Sequence, residues 1–146
     1  MQARINIEKA EPAGYKAILG LEKFIEGTTL TKTHKNLIKI RASQINGCAY
    51  CLDMHTKEAR RAGETEQRIY TLNAWRDTPF FSEEERAILA LTEEVTLISN
   101  HVTDETYAEA AKVLEESYLA QVILAIITIN VWNRIGIATN LTPALS

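Results

Sequence analysis

The sequence predicts an all-α protein, and three observations carry the prediction. Apolar residues recur at spacings of three and four, the period-2 alternation of half-buried strands is nowhere sustained, and helix caps and breakers punctuate the chain. A single-domain bundle of about six to seven helices over residues 1–146 is expected, large enough to bury one real core.

The first helix is expected from Pro12, a favoured first-turn residue, to Gly27, with Ala17, Ile18, Leu21, Phe24 and Ile25 as its inward stripe. A second spans Thr33 to Gln44. Asn46 and Gly47 suit the left-handed conformation that ends a helix, so the chain should break there and restart at or just after Cys48. The third helix then ends at Gly63. A fourth begins near Thr65 and stops before Pro79, because the residue preceding proline is biased away from helix. Ser82 and Glu85 have the spacing of a capping box, followed at helical spacing by Ile88, Leu91, Val95 and Ile98. Thr103 caps a sixth helix whose inward face is Tyr107, Ala110, Ala111 and Leu114.

The last helix, Glu116 to Ala138, contains "YLAQVILAIITINVW" and is apolar nearly all round. That run is shorter than the ~20 residues a bilayer requires, is interrupted by Gln121 and Asn130, and has Arg134 close behind. A central core helix is expected rather than a membrane span. No second domain, fixed-period repeat or low-complexity segment is visible.

Charge narrows the function classes. The 19 acidic and 16 basic residues are mixed along the chain and leave a net charge of −3, so neither nucleic acid nor a membrane surface is expected as a partner. The first thirty residues hold no uninterrupted apolar stretch of the secretory kind, and a cytoplasmic location is expected. In that compartment a close cysteine pair points to redox or metal chemistry rather than to a structural disulfide.

Both cysteines and one of the three histidines fall within "SQINGCAYCLDMHTKEARRAG", residues 43–63. On a helix, Cys48, Cys51, Leu52, His55, Ala59 and Ala62 share one face, while Asp53, Lys57, Arg60 and Arg61 share the other. Sulfurs in a first helical turn gain from the N-terminal dipole, which favours thiolate. An imidazole one turn after Cys51 can take its proton or stabilise its thiolate. The C-x-x-C spacing lets one sulfur trap a sulfenic acid formed on the other. Two alternatives remain beside this redox centre: buried structural cysteines, and zinc held by Cys48, Cys51 and His55, for which a fourth ligand motif is lacking. A thioredoxin-like setting is disfavoured, since no strand precedes Gly47.

"LIKIRASQINGCAYCLDMHTKEARRAGETEQRIYTLNAWRDTPFFSEEERAILALTEEVT" resembles the AhpD-like alkylhydroperoxidase core of the carboxymuconolactone decarboxylase superfamily. The likeness extends to "RINIEKAEPAGYKAILGLEKFI" before it and "INVWNRIGIA" after it, with the core region at about 33–100. The resemblance implies an all-helical protomer assembled as a homo-oligomer, often a trimer or hexamer. It implies reduction of small or alkyl hydroperoxides without a bound cofactor, and regeneration by an external dithiol or thioredoxin-like reductant. By motif position Cys51 is the peroxide-attacking thiol, Cys48 the resolving thiol and His55 the histidine of the proton relay. Helix-dipole reasoning alone would instead favour Cys48 as the more acidic sulfur.

Two positions depart from the family pattern. The relay glutamate expected twelve residues before the first cysteine is Asn36, which can orient water but cannot accept a proton. Tyr50 stands where the better-known branch has a histidine between the cysteines. The cysteine pair argues against lactone decarboxylation. Tyr15, Trp75, Trp132 and Asn133 are candidates for pocket lining or a subunit contact, with core placement the simpler reading. His34 and His101, at expected helix boundaries, are expected to be exposed. A non-enzymatic redox sensor using the same dithiol is the alternative function.

Overall fold

Caps and stop signals written in the chain set most of the observed boundaries. The computed structural model describes residues 2–145, and among them it contains helices and no strand. In chain order these are α1 (Ile7–Ala10), α2 (Pro12–Glu26), α3 (Lys32–Asn46), α4 (Ala49–Arg61), α5 (Glu66–Tyr70), a 3-10 segment (Leu72–Asp77), α6 (Glu83–Thr96), a short 3-10 turn (Ile98–Asn100), α7 (Asp104–Val113) and α8 (Glu116–Ala138). Thr31, Thr65, Ser82 and Thr103 each cap a helix by accepting the N–H three residues on, and Ser82 with Glu85 completes the capping box.

The fold class holds, with eight α-helices among the described residues against the six to seven expected. The additional helix is α1, and the expected fourth helix also changes form. Asn6 caps the extra single turn α1, which buries nothing. The expected fourth helix is broken after Tyr70, and Ala74 leaves helical geometry (φ −119°, ψ 28°) so that Leu72 and Trp75 both reach the core.

α8 runs through the middle of the bundle. It packs on α3 and α6 and touches α2, α4 and α7. Val122 and Ile126 are fully buried, and Ile129 nearly so, against Ile38, Ala42, Ile88 and Leu91. Each such aliphatic side chain contributes about 1.5–3 kcal/mol by leaving water. A second cluster joins Leu37, Ile40, Ala59, Leu72, Trp75, Phe81 and Leu89. α8 is long and apolar enough by composition to cross a membrane, and here its buried face serves the bundle.

Several expected inward faces are rotated. Ala17 and Phe24 are exposed, because α2 meets α8 through Tyr15, Glu22 and Ile25 instead. Ile98 lies beyond the end of α6 and is exposed. Tyr107 and Ala111 face outward, since the short α7 seats only Ala110, Val113 and Leu114. Ala62, at the C-cap of α4, is likewise exposed. His34 is buried rather than exposed. Its Nδ1 lies 2.6 Å from the Tyr118 hydroxyl, in the seam where the start of α3 meets α8, whereas His101 is exposed as expected.

Polar hubs complete the frame. Glu93 on α6 accepts from Arg41 Nε (2.9 Å), Trp75 Nε1 (2.9 Å) and Arg76, tying α3 and the 3-10 segment to α6. Burial pushes this carboxyl up, but the three donors outweigh it and hold the pKa below the usual range. Among the described residues no buried side-chain N or O lacks a partner.

Candidate active site

The turn between α3 and α4 positions both sulfurs. Gly47 takes the left-handed conformation (φ 69°) that stops α3, and the Cys48 N–H bonds back to the Ser43 carbonyl at 3.1 Å. Cys48 then becomes the N-cap of α4: its Sγ accepts the Cys51 N–H at 3.3 Å. The cap places one sulfur at the helix N-terminus and the other at its third residue, where the backbone dipole favours negative charge.

Asn46 pins the same turn from behind. Its amide nitrogen donates to Asn130 Oδ1 and to Asn133 Oδ1, both at 2.9 Å. Asn133, fully buried, donates in turn to Ser43 Oγ at 2.9 Å, and Asn130 donates to Thr96 Oγ1 at 3.1 Å. Arg134 closes the set by donating to Asn130 Oδ1 at 2.8 Å. Two asparagines of α8 thus hold the loop that carries Cys48.

The cysteines form a disulfide with Cα atoms 5.3 Å apart, and both are almost fully buried. Cys51 lines a pocket of about 330 Å³, whereas Cys48 lies behind it. Apolar walls come from Tyr15, Leu19, Met54, Trp132, Ile135 and Leu141, with Gly136 beside the sulfurs. Tyr15 meets Trp132 edge-on with centroids 5.5 Å apart. Polar groups at the pocket are His55, Lys39 and three carboxylates, Glu22, Glu26 and Glu58. Tyr50 stands at the mouth, more than a third exposed.

His55 is buried, and its Nδ1 lies 2.8 Å from Glu58 Oε2. Burial lowers its pKa below the usual 6.5, with Glu58 opposing the shift and Lys39 reinforcing it. A neutral ring donating Nδ1–H to Glu58 leaves Nε2 free to accept a proton. Glu22, brought in by α2, accepts from Lys39 Nζ at 2.9 Å and from Trp132 Nε1 at 3.0 Å.

Of the residues singled out in the sequence, Cys51 and His55 line one pocket with Tyr15 and Trp132. Asn36 is half-buried on α3 outside that lining, and the hydrogen-bond partner of His55 is the Glu58 carboxylate. Trp75 and Asn133 belong to the core and the polar network. Sequence reasoning missed Glu58, Glu22, Lys39, Asn46, Asn130 and Gly136. Only Glu58, three residues after His55, carried a local signal.

The profile of the carboxymuconolactone decarboxylase family matches residues 12–94. The chain is 46% identical over 139 residues to the uncharacterized protein YdfG of Bacillus subtilis (strain 168), covering 94% of this chain and 95% of that protein. It superposes with a TM-score of 0.96 and 36% identity on a crystal structure of a protein of unknown function from Agrobacterium tumefaciens, whose description links it to AhpD and antioxidant defence, covering 99% of this chain and 100% of that one. The debrominase Bmp8, solved with 2,3,4-tribromopyrrole, shares the fold with a TM-score of 0.77 at 22% identity, covering 90% of this chain and 71% of that one.

Proposed function

Because the chain belongs to the carboxymuconolactone decarboxylase family, in its AhpD-like branch, we propose that its Cys48–Cys51 pair reduces small or alkyl hydroperoxides. The observation that carries this reading is the pocket itself: Cys51 and a neutral, Glu58-bound His55 face one apolar space, with Cys48 bonded behind Cys51.

In the proposed cycle His55 accepts the Cys51 thiol proton, and the thiolate attacks the terminal hydroperoxide oxygen. The O–O bond breaks, Cys51 becomes a sulfenic acid, and the departing alkoxide takes the proton from His55 to leave as an alcohol. Cys48 then attacks the sulfenic sulfur, a disulfide forms and water is released. An external dithiol, free or thioredoxin-like, supplies two electrons and two protons to reopen the pair and is itself oxidised to a disulfide. No step calls for a bound cofactor.

Two pocket features stand in for the relay glutamate that this chain replaces with Asn36. Glu58 orients His55, and the Glu22–Lys39 pair places a cation beside the same space. Asn36 is left the role of orienting water. With three carboxylates against one lysine, the pocket suits an uncharged organic hydroperoxide better than one bearing a carboxylate. The homo-oligomer implied by the family, a trimer or hexamer, belongs to the same proposal and is read by sedimentation of the full chain.

The test is steady-state consumption of cumene hydroperoxide with dihydrolipoamide as donor, beside Cys51→Ser, Cys48→Ser, Glu58→Gln and Asn36→Glu. Turnover should vanish in both cysteine variants, fall about tenfold to a hundredfold in Glu58→Gln, and rise in Asn36→Glu. Absence of turnover in both wild type and Asn36→Glu would remove the peroxidase reading and leave the dithiol as a redox sensor.

A further inference from the structure

Gly136 sits in the last turn of α8 with helical geometry, where nothing in the backbone requires glycine. Relative to alanine, a glycine inside a helix costs roughly 1 kcal/mol. The α8 end is already closed by Asn140 in the left-handed region (φ 56°) and by Leu141 N–H bonding to the Gly136 carbonyl at 2.9 Å. Conformational freedom therefore does not account for the residue; the missing side chain does. A Cβ on Gly136 would stand 3.1 Å from Cys48 Sγ and 3.7 Å from Cys51 Sγ. The first distance is inside the roughly 3.5–4.0 Å of ordinary van der Waals contact.

We propose that Gly136 is a positioning residue for the dithiol: its bare Cα leaves the space that Cys48 Sγ occupies when the disulfide closes. The wall behind that sulfur cannot yield easily. α8 is anchored one turn earlier by Asn133 and Asn130, and the cysteine loop is held by Asn46 to the same two residues. Two bonded sulfurs are fixed in one place, whereas a free Cys48 thiol can rotate about χ1 into another staggered well. Crowding at position 136 thus falls mainly on the oxidised form. The balanced step is the exchange of the Cys48–Cys51 disulfide with dithiothreitol, which gives two protein thiols and the cyclic disulfide of the reagent.

The inference rests on the pair cycling between dithiol and disulfide, as in the proposed function, but not on the peroxide. Wild type and Gly136→Ala are equilibrated in dithiothreitol redox buffers, with Gly20→Ala as control because a Cβ there meets nothing within 4 Å. Gly136→Ala should shift the equilibrium about tenfold toward the dithiol, ~30 mV for two electrons. Gly20→Ala should not move it. A shift under twofold in Gly136→Ala, or an equal shift in Gly20→Ala, would overturn the proposal. If wild type itself does not interconvert, the functional reading fails first, which keeps the two failures distinct.

A second arm covers misfolding. Gly136→Ala is also made in Cys48→Ala, where the crowded sulfur is gone, and melting temperatures are compared under reducing conditions. The alanine should be tolerated or stabilising there by helix propensity alone. Equal destabilisation with and without the Cys48 sulfur would show that the sulfur is not what requires glycine.

Discussion

The two ends of α8 are built from opposite materials. From Leu119 to Ile129 its buried face is almost entirely aliphatic, with Val122, Ala125 and Ile126 between them and Thr128 bonded back to the Leu124 carbonyl. From Asn130 to Gly136 the buried positions are two asparagines and a glycine. The first stretch holds the bundle together by removing apolar area from water. The second gives up part of that gain to hydrogen-bond the Asn46 loop and to leave room for sulfur. One helix therefore serves stability over three turns and chemistry over the next two.

The comparison breaks first at Ile126. Ile126→Ala should cost about 2–5 kcal/mol in chemical denaturation while leaving the dithiol equilibrium within twofold of wild type. A large shift in that equilibrium would mean that the two ends of the helix are not separable. Asn133→Ala should cost less, about 1–3 kcal/mol, because it removes a partner from Asn46 and Ser43 in a buried setting. Unlike Ile126→Ala, it should also slow disulfide closure, measured by thiol quenching after oxidation. An unchanged closure rate would reduce the asparagines to a stabilising role.

Acidity sharpens the contrast further. Burial lowers the pKa of both His55 and His34, so the unfolded chain takes up protons before the folded one does. The resulting stability is complete above the ordinary value of 6.5 and is lost as pH falls from there through the lowered folded values. Denaturation midpoints should therefore drop on acidification below about pH 6.5. His55→Asn should flatten part of the slope and leave the contribution of His34, in the first turn of α3, in place. A slope unaffected by His55→Asn would show that the ring by the dithiol is not held neutral by burial. The smallest effect is expected for Arg134→Lys at the rim of the asparagine network, under about 1 kcal/mol, since an ammonium can replace one of its donations to Asn130.

Much of the frame is legible in the sequence. The capping box at Ser82 and Glu85, the left-handed stop at Gly47, and the span of α8 appear where the chain wrote them, whereas Asn46 stays helical as the last residue of α3. The shared buried face of Cys51, His55 and Ala59 also follows from helical spacing, whereas Cys48, in extended backbone at the N-cap, is placed by the turn before α4. Legibility failed where a face was chosen by a partner far along the chain. α2 turned Phe24 outward because Trp132, 110 residues beyond Glu22, took Glu22 and Tyr15 instead. His34 was drawn inward by Tyr118, 84 residues away.

The sequence by itself determined the helical class, the caps, and a dithiol in phase with a histidine, because each depends on the local period and on hydrogen bonds closed within a few residues. Only the tertiary structure decided which lysine would face the pocket, which carboxylate would pair with that lysine, and why α8 carries Gly136. Those choices depend on α2, α3, α4 and α8 meeting around one small space, and a contact between helices leaves no periodic trace in either of them.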